Sequence, residues 1–422
     1  MRKIQKQLSN TFYAILSLPA TAMGFALSVQ IAALSWILNS KYGFNLEEIG
    51  LVWMAGPMAG ILGQVIIGVI SDNVWFWNGR RRPFIIIGGT IAALMLLALP
   101  NIDVINDQLG IGSLIGVAIT VALSLDLAIN ISFNPTRSVI ADVTPPGDAR
   151  TKGYTWMQSI SGFFGVCAYL IGAFVSNYAL IYVGAIIVFV CSIFPLFFIE
   201  EPLELSDGSS EESGNLPTET DWLEFGKICL AHSFTWLGVQ TMFVYTFAYI
   251  KEVIMGHETT LQLSAEQNDH IGFVTGIAFA VLNTVGFILP AFVLEPIAKK
   301  IGRVRTHMAC IAIMAIGYGI VVFMGQSSTM LILSMMVIGV GWAAVVSLPF
   351  AIMSETVNQA RMGMFMGLFN LSVVLPQLVA SSLGGYIDGQ ADKSIIFIIS
   401  GLALAVSAVL WLLVKEQKTA RT

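Results

Sequence analysis

The sequence predicts an all-α integral membrane protein of twelve transmembrane helices in two six-helix bundles, and three observations predict it. Of 422 residues, 56% are hydrophobic and 11% are charged, with a mean hydropathy of +0.79. A soluble chain carries roughly a quarter of its residues as charges. Apolar runs long enough to cross a bilayer, about 20 residues each, recur along the whole chain. The third observation is where the basic residues fall. Of the 21 Lys and Arg, only Lys41, Lys251 and Lys393 sit on one side of the resulting scheme. Cytoplasmic segments hold the excess of such residues, which places both termini in the cytoplasm, and a plasma (inner) membrane is the expected location.

Taken in order, the first half has expected spans at 12–38, 49–71, 84–100, 111–135, 153–176 and 179–199. The basic start before the first run resembles a signal peptide, but the run is too long and no small-residue cleavage site follows, so it is expected as a retained span. "EEPLELSDGSSEESGNLPTETD", from Glu200 to Asp221, combines acidic, Ser, Gly and Pro residues that build no packed core. It divides the chain into a bundle at 1–199, an acidic linker at 200–224 and a bundle at 225–422. The net charge of −5 comes largely from this linker and identifies no partner. Expected spans of the second half lie at 225–250, 271–294, 308–325, 330–353, 362–385 and 394–414. Cys167, Cys191, Cys229 and Cys310 stand singly, without CxxC spacing, so neither a disulfide nor a metal site is expected.

The halves echo each other. After the second span stands "GVISDNVWFWNGRRRPF", with Asp72 seven residues before Gly79, and after the eighth stands "EPIAKKIGRVR", with Glu295 seven before Gly302. "ADVTPPGDARTKG" after the fourth span has a looser partner, "SETVNQARMG", after the tenth. Two six-span repeats about an axis along the membrane normal describe the major facilitator architecture, with its substrate cavity between the halves.

Gly68, Asp72, Gly79, Arg80, Arg81 and Arg82 resemble the signature loop of that superfamily. "GPMAGILGQVIIGVISD" with "GRRRPF" is similar to the sucrose transporter branch, which includes plant sucrose–proton symporters and related sugar carriers. "LDLAINISFNPTRSVIAD" matches the branch's fourth span at Asp126, Asn130, Pro135, Arg137 and Asp142, and "FNLSVVLPQLV" its eleventh at Asn370, Pro376 and Gln377. Phe133-Asn134 stands where the branch has Asn-Gly or Gln-Gly, and Gln30 lies two residues later than the branch's polar position in the first span. The resemblance implies proton-coupled symport of a neutral sugar, most simply a disaccharide such as sucrose or maltose, with the acid at Asp126 engaged in coupling.

The residues themselves point the same way. Asp126, Asn130, Asn134 and Arg137 are spaced 4, 4 and 3 apart and share one side of a helix. Arg137 is eleven residues from Asp126, about 16 Å along a helix, too far for a direct pair. No partner for Asp126 is evident in the sequence. An intramembrane carboxylate is costly and usually functional, and a carboxyl that is neutral when dry and ionised when water reaches it is a proton carrier. Na⁺ fits less well, since it takes several oxygen ligands and this face offers one carboxylate. The proton is therefore the expected coupling ion, and no cofactor is expected.

Gln30, Gln64, Gln158, Gln240, Asn283, Asn370 and Gln377 add neutral amides at membrane depth, and Trp156, Trp236 and Trp342 add aromatic faces. Amides suit hydroxyls and flat rings suit sugar C–H faces, whereas a carboxylate or phosphate substrate would call for buried Arg. The same polar groups also serve as glue between helices. Trp53, Trp75, Trp77, Trp222 and Trp411 are expected at the membrane interface. At the basic end, Asp72 and Glu295 are expected to pair with the clusters containing Arg80, Arg81, Arg82 and Arg303, with Asp142 and Arg137 as further coupling or gating groups.

A membrane enzyme would need a metal or nucleophile constellation, and His232, His257, His270 and His307 are scattered. A sugar sensor would carry an added signalling domain or long tail. A proton-coupled drug or metabolite antiporter on the same fold is the nearest rival. The expected partners are sugar and membrane lipid for a monomer, with no nucleic acid.

Overall fold

The computed structural model describes residues 3–60, 70, 74–145, 148–202, 219–258, 261–358 and 362–416. Among these residues the regular structure is helical, apart from one isolated bridge between Phe76 and Gly79. A chain with no water around its middle must satisfy its backbone groups within each segment, and helices do so.

The long helices follow the expected order. They are α1 (Asn10–Ser40), α2 (Leu46–Trp53), α3 (Arg82–Ala98), α4 (Leu114–Val143), α5 (Asp148–Phe174) and α6 (Asn177–Ile193). The second half supplies α7 (Trp222–Tyr249), α8 (Ala265–Leu289), α9 (Arg303–Met324), α10 (Ser328–Ser347), α11 (Met362–Ser382) and α12 (Ile395–Trp411). Helix resumes at 55–60 after α2, and most of the rest of that span lies outside the described residues. Among the described residues, nine segments are long and apolar enough to cross a membrane, those of α1, α3 to α6 and α8 to α11. α7 is 28 residues long and α12 is an apolar helix of 17.

Local chemistry sets the helix starts. Ser9, Ser113, Ser176, Asp221 and Ser327 precede α1, α4, α6, α7 and α10, and each side chain accepts a first-turn backbone N–H. Inside α1, the hydroxyls of Ser17, Thr21 and Ser28 donate to the carbonyls of Tyr13, Ser17 and Gly24, one turn back. These groups are thereby satisfied without a partner helix.

The chain divides into two compact units. One comprises Met1–Gly43, Leu51–Glu212 and Leu263–Gly276; the other comprises Phe44–Gly50, Ser213–Gln262 and Ile277–Thr422. In the first unit α1 packs on α5 and α6, and α3 on α4 and α6. In the second α7 packs on α11 and α12, and α9 on α10 and α12. The pairing scheme is the same with six added to every number, so the sequence repeat is a repeat of packing. Small residues permit the close approaches: a methyl on Gly88 of α3 would overlap Ser132 of α4, and one on Gly89 would overlap Ser192 of α6.

Two of the tryptophans expected at the membrane interface are buried within the protein. Trp53 is buried and donates its indole N–H to the Ser35 hydroxyl at 2.7 Å. Trp411 is fully buried in the second unit, its ring 4.5 Å from that of His307. Hydropathy places a Trp along the chain but leaves open which side of its helix faces lipid.

Candidate functional site

Asp126 lies in the middle of α4 and is buried in the first unit at 6% exposure. The sequence showed no partner for it; the fold supplies one. Gln30 of α1, itself buried, donates its side-chain amide to Asp126 Oδ2 at 2.9 Å. Space for the carboxylate comes from Gly56, where a Cβ would stand 3.2 Å from Oδ2. Asn130, one turn further, donates to the Asp126 backbone carbonyl at 2.8 Å. The Arg137 side chain is exposed, with its guanidinium 4.2 Å from the centre of the Phe133 ring. Its backbone carbonyl accepts the Tyr154 hydroxyl at 3.4 Å. Thus the four residues that share one side of α4 divide by depth: a buried acid bonded to an amide, and an exposed cation on an aromatic face.

The second unit holds a polar and aromatic cluster with no charge in it. Trp342 of α10 donates its indole N–H to Asn283 Oδ1 of α8 at 3.2 Å. The Trp342 ring meets Trp236 of α7 edge-on, centroids 6.2 Å apart, and meets Phe243 at 5.3 Å. Gln377 of α11 donates to Gln240 Oε1 of α7 at 3.2 Å. Five expected substrate groups, Trp236, Gln240, Asn283, Trp342 and Gln377, are therefore held on neighbouring helices of one unit. Asn370 is half-buried on α11. Trp156 is half-buried on α5 against the apolar cluster of Phe12, Tyr13 and Ile140, and Gln158 is exposed on the same helix. Gln64 and Asp72 lie outside the described residues.

At the basic end, the repeat seen in the sequence becomes a repeat of contacts. Arg81 pairs with Asp142 at the end of α4, Nε to Oδ2 at 3.0 Å, with both side chains at or below 10% exposure. Arg303, at the start of α9, pairs with Glu355 beyond α10. Each loop is also capped by a glutamate from the end of its half. Glu201 accepts the backbone N–H groups of Arg80, Arg81 and Arg82 at 2.7, 2.8 and 2.7 Å. Glu416 accepts those of Arg303 and Val304 at 2.7 and 2.9 Å. Both carboxylates satisfy the orphan donors at a helix N-terminus, where the macrodipole also favours negative charge. Only glycine fits beside either cap: a Cβ on Gly79 would reach within 2.8 Å of Glu201 Oε1, and one on Gly302, at φ +98°, would collide with Glu416.

The sequence alone marks neither glutamate, although "EEP" after the sixth span and "KEQ" after the twelfth occupy matching places. Glu295, expected among the gating groups, pairs with Lys299 one turn along its own short helix, at 2.6 Å, and both are exposed. The Lys299 hydrogen bond, with its charge, holds the Glu295 carboxyl below the ordinary range. Burial has the opposite effect on Glu355, pushing it up, with Arg303 pulling down and Glu416 adding to the rise.

Two matched six-helix halves, each with a basic loop braced by an acid and capped by a glutamate, define a polytopic transporter rather than an enzyme. Residues 16–381 match the Major Facilitator Superfamily, as do residues 259–422, and the chain belongs to that superfamily. It is similar to the sucrose transport protein SUT5 of Oryza sativa subsp. indica, 24% identical across 92% of this chain and 84% of the relative. Over 37% of this chain and 31% of the relative it is 29% identical to the general alpha-glucoside permease of Schizosaccharomyces pombe. Among solved structures, the nucleoside transporter NupG superposes with a TM-score of 0.69 at 13% identity, over 97% of this chain and 100% of that one. That likeness is one of fold.

Proposed function

We propose that the protein is a secondary active transporter that carries a neutral sugar, most simply a disaccharide such as sucrose or maltose, in symport with a proton by alternating access. The observation that carries this reading is the bond between Gln30 and Asp126 inside the first unit. A primary amide has both donors and an acceptor, so Gln30 can bond an ionised carboxylate through its NH₂ and a protonated one through its carbonyl. Asp126 can therefore hold or release a proton without losing its partner, as a carrier must. One carboxylate and one amide make a poor Na⁺ site, which takes more oxygen ligands than that.

The amide and tryptophan cluster of the second unit supports the sugar. It offers donors, acceptors and flat apolar faces, and among the described residues these contacts include no cation for an anionic substrate. The relatives named above, a sucrose transport protein and a general alpha-glucoside permease, favour a disaccharide with an α-glucosyl unit. Arg137, exposed on the same helix eleven residues beyond Asp126, serves as a gating group rather than as a direct partner of that carboxyl. The protein works as a monomer in a plasma or inner membrane with both termini in the cytoplasm. Uptake of labelled sucrose, maltose and hexoses into proteoliposomes, with and without an imposed pH gradient, tests the proposal. Accumulation of a disaccharide that requires the gradient supports it; uptake that ignores the gradient, or follows Na⁺, overturns the coupling.

A further inference from the structure

His232 belongs to none of the groups described so far. It sits on α7, 1% exposed, four residues before Trp236, with its ring stacked on Phe369 of α11 at 4.8 Å and 11°. The Trp236 indole N–H points at His232 Nε2, 2.9 Å away. An indole nitrogen only donates, so Nε2 must be the acceptor and the imidazole proton must sit on Nδ1. Nδ1 is buried without a hydrogen-bond partner among the described residues. The histidine therefore leaves a polar atom unsatisfied while it holds the indole. Its single side-chain hydrogen bond among the described residues is the one that fixes the Trp236 indole.

We propose that His232 is a positioning residue for sugar recognition: by accepting the Trp236 N–H it turns the only polar atom of that indole inward and leaves the apolar ring as a platform for the substrate. The inference rests on the sugar reading above. Trp236 is half-buried and meets Trp342 edge-on at 83°, so its tilt is set from two sides, by the hydrogen bond and by the second ring. Gln240, one turn further along α7 and bonded to Gln377, places amide chemistry next to the ring. A hydroxylated ligand thus meets an apolar face and hydrogen-bonding groups side by side. Stacking of His232 on Phe369 makes the platform depend on α11, the helix that carries Asn370 and Gln377. Loosening the ring costs ground-state and transition-state binding alike, which reads as KM without kcat.

Disaccharide uptake by proteoliposomes containing wild type, His232→Phe, Trp236→Phe and the double variant tests this. His232→Phe keeps an aromatic ring against Phe369 and removes the acceptor together with the unpartnered Nδ1–H. It is expected to raise KM about three- to tenfold, the range of one neutral hydrogen bond, with kcat nearly unchanged. The double variant should be no worse than Trp236→Phe alone, since each change removes the same bond. His232→Gln, whose side-chain carbonyl supplies an acceptor, should restore KM to within about twofold of wild type, and it decides the matter should His232→Phe accumulate poorly. Wild-type sugar uptake with unchanged KM in His232→Phe, strictly additive effects in the double variant, or a His232→Gln KM as high as that of Trp236→Phe overturns this inference alone. Absence of sugar uptake by the wild type overturns the sugar reading, and this one with it.

Discussion

Gln30 and Asp126, 96 residues apart, share a 2.9 Å hydrogen bond that ties α1 to α4 in the buried middle of the first unit. The bond makes Asp126 a partnered group, and a chemically adaptable one. Three properties follow from it: retention of the carboxyl in a dry site, tolerance of both protonation states, and dependence of both on a single amide.

Asp126→Asn should abolish accumulation of sugar against its gradient, because an amide exchanges no proton. Gln30 can still bond the amide that replaces the carboxyl, so sugar counterflow, which needs no net proton movement, should persist. Counterflow and gradient-driven uptake measured on the same proteoliposomes separate the two. Full gradient-driven uptake by this variant would remove Asp126 from the coupling.

Gln30→Leu leaves Asp126 Oδ2 buried without its donor, a loss of about 1–3 kcal/mol in stability. Gly56→Ala presses on the same oxygen, with its Cβ 3.2 Å away, and should impair uptake while the protein stays folded. Thermal unfolding in detergent and uptake rates check both. A Gln30→Leu protein as stable as wild type would show that the bond contributes nothing.

The two repeated ion pairs should differ in worth. Arg81 and Asp142 are 8% and 10% exposed, so Asp142→Asn removes a charged partner from a buried guanidinium and should cost about 1.5–3 kcal/mol. Arg303 and Glu355 are 43% and 24% exposed, and Glu355→Gln should cost about 1 kcal/mol or less. Unfolding midpoints of the two single variants give the order, and equal losses would contradict it.

The caps rank in the same direction. Glu201 takes three backbone N–H groups and Glu416 takes two. Glu201→Ala should therefore destabilise more than Glu416→Ala, each by about 1–2 kcal/mol, as loss of a helix cap does. Hydrogen exchange at the amides of Arg81 and Arg303 reports the release at each loop, and protection unchanged in both variants would refute the capping role.

Glu355 gives a pH signature. Burial raises its pKa above the ordinary glutamate value, so in the window between the two the folded protein binds more proton than the unfolded one. By linkage, its contribution to stability falls as pH rises through that window and is level above it. In Glu355→Gln that slope should vanish. Unfolding midpoints of wild type and variant, followed upward from the ordinary glutamate range, should show their difference moving in favour of the variant. Glu295, held low by Lys299, has the opposite sign: its small contribution is lost only as pH falls through its depressed value.

Much of the molecule was legible from the sequence by itself. The transmembrane helices, the two matched halves, the intramembrane acid and the basic loops follow from transfer free energies and charge distribution, which act residue by residue along the chain. The spacing of "GRRRPF" and "EPIAKKIGRVR" showed a repeat, and Asp142 and Glu355 lay in the matched stretches. What the repeat was for did not show. The pairs Arg81 with Asp142 and Arg303 with Glu355, and the capping by Glu201 and Glu416, join segments 52 to 121 residues apart. Only the packing of α3 on α4 and α6, and of α9 on α10 and α12, brings those ends together. Glu295 illustrates the converse, since a lysine four residues on was close enough to satisfy it at once. Tertiary structure alone also decided that Gln30 reaches Asp126, that Trp53 and Trp411 face inward, and that His232 holds Trp236. Hydropathy sets the depth of a side chain in the membrane, but its partner is set by rotation of the helix about its axis, and that rotation is fixed by neighbouring helices.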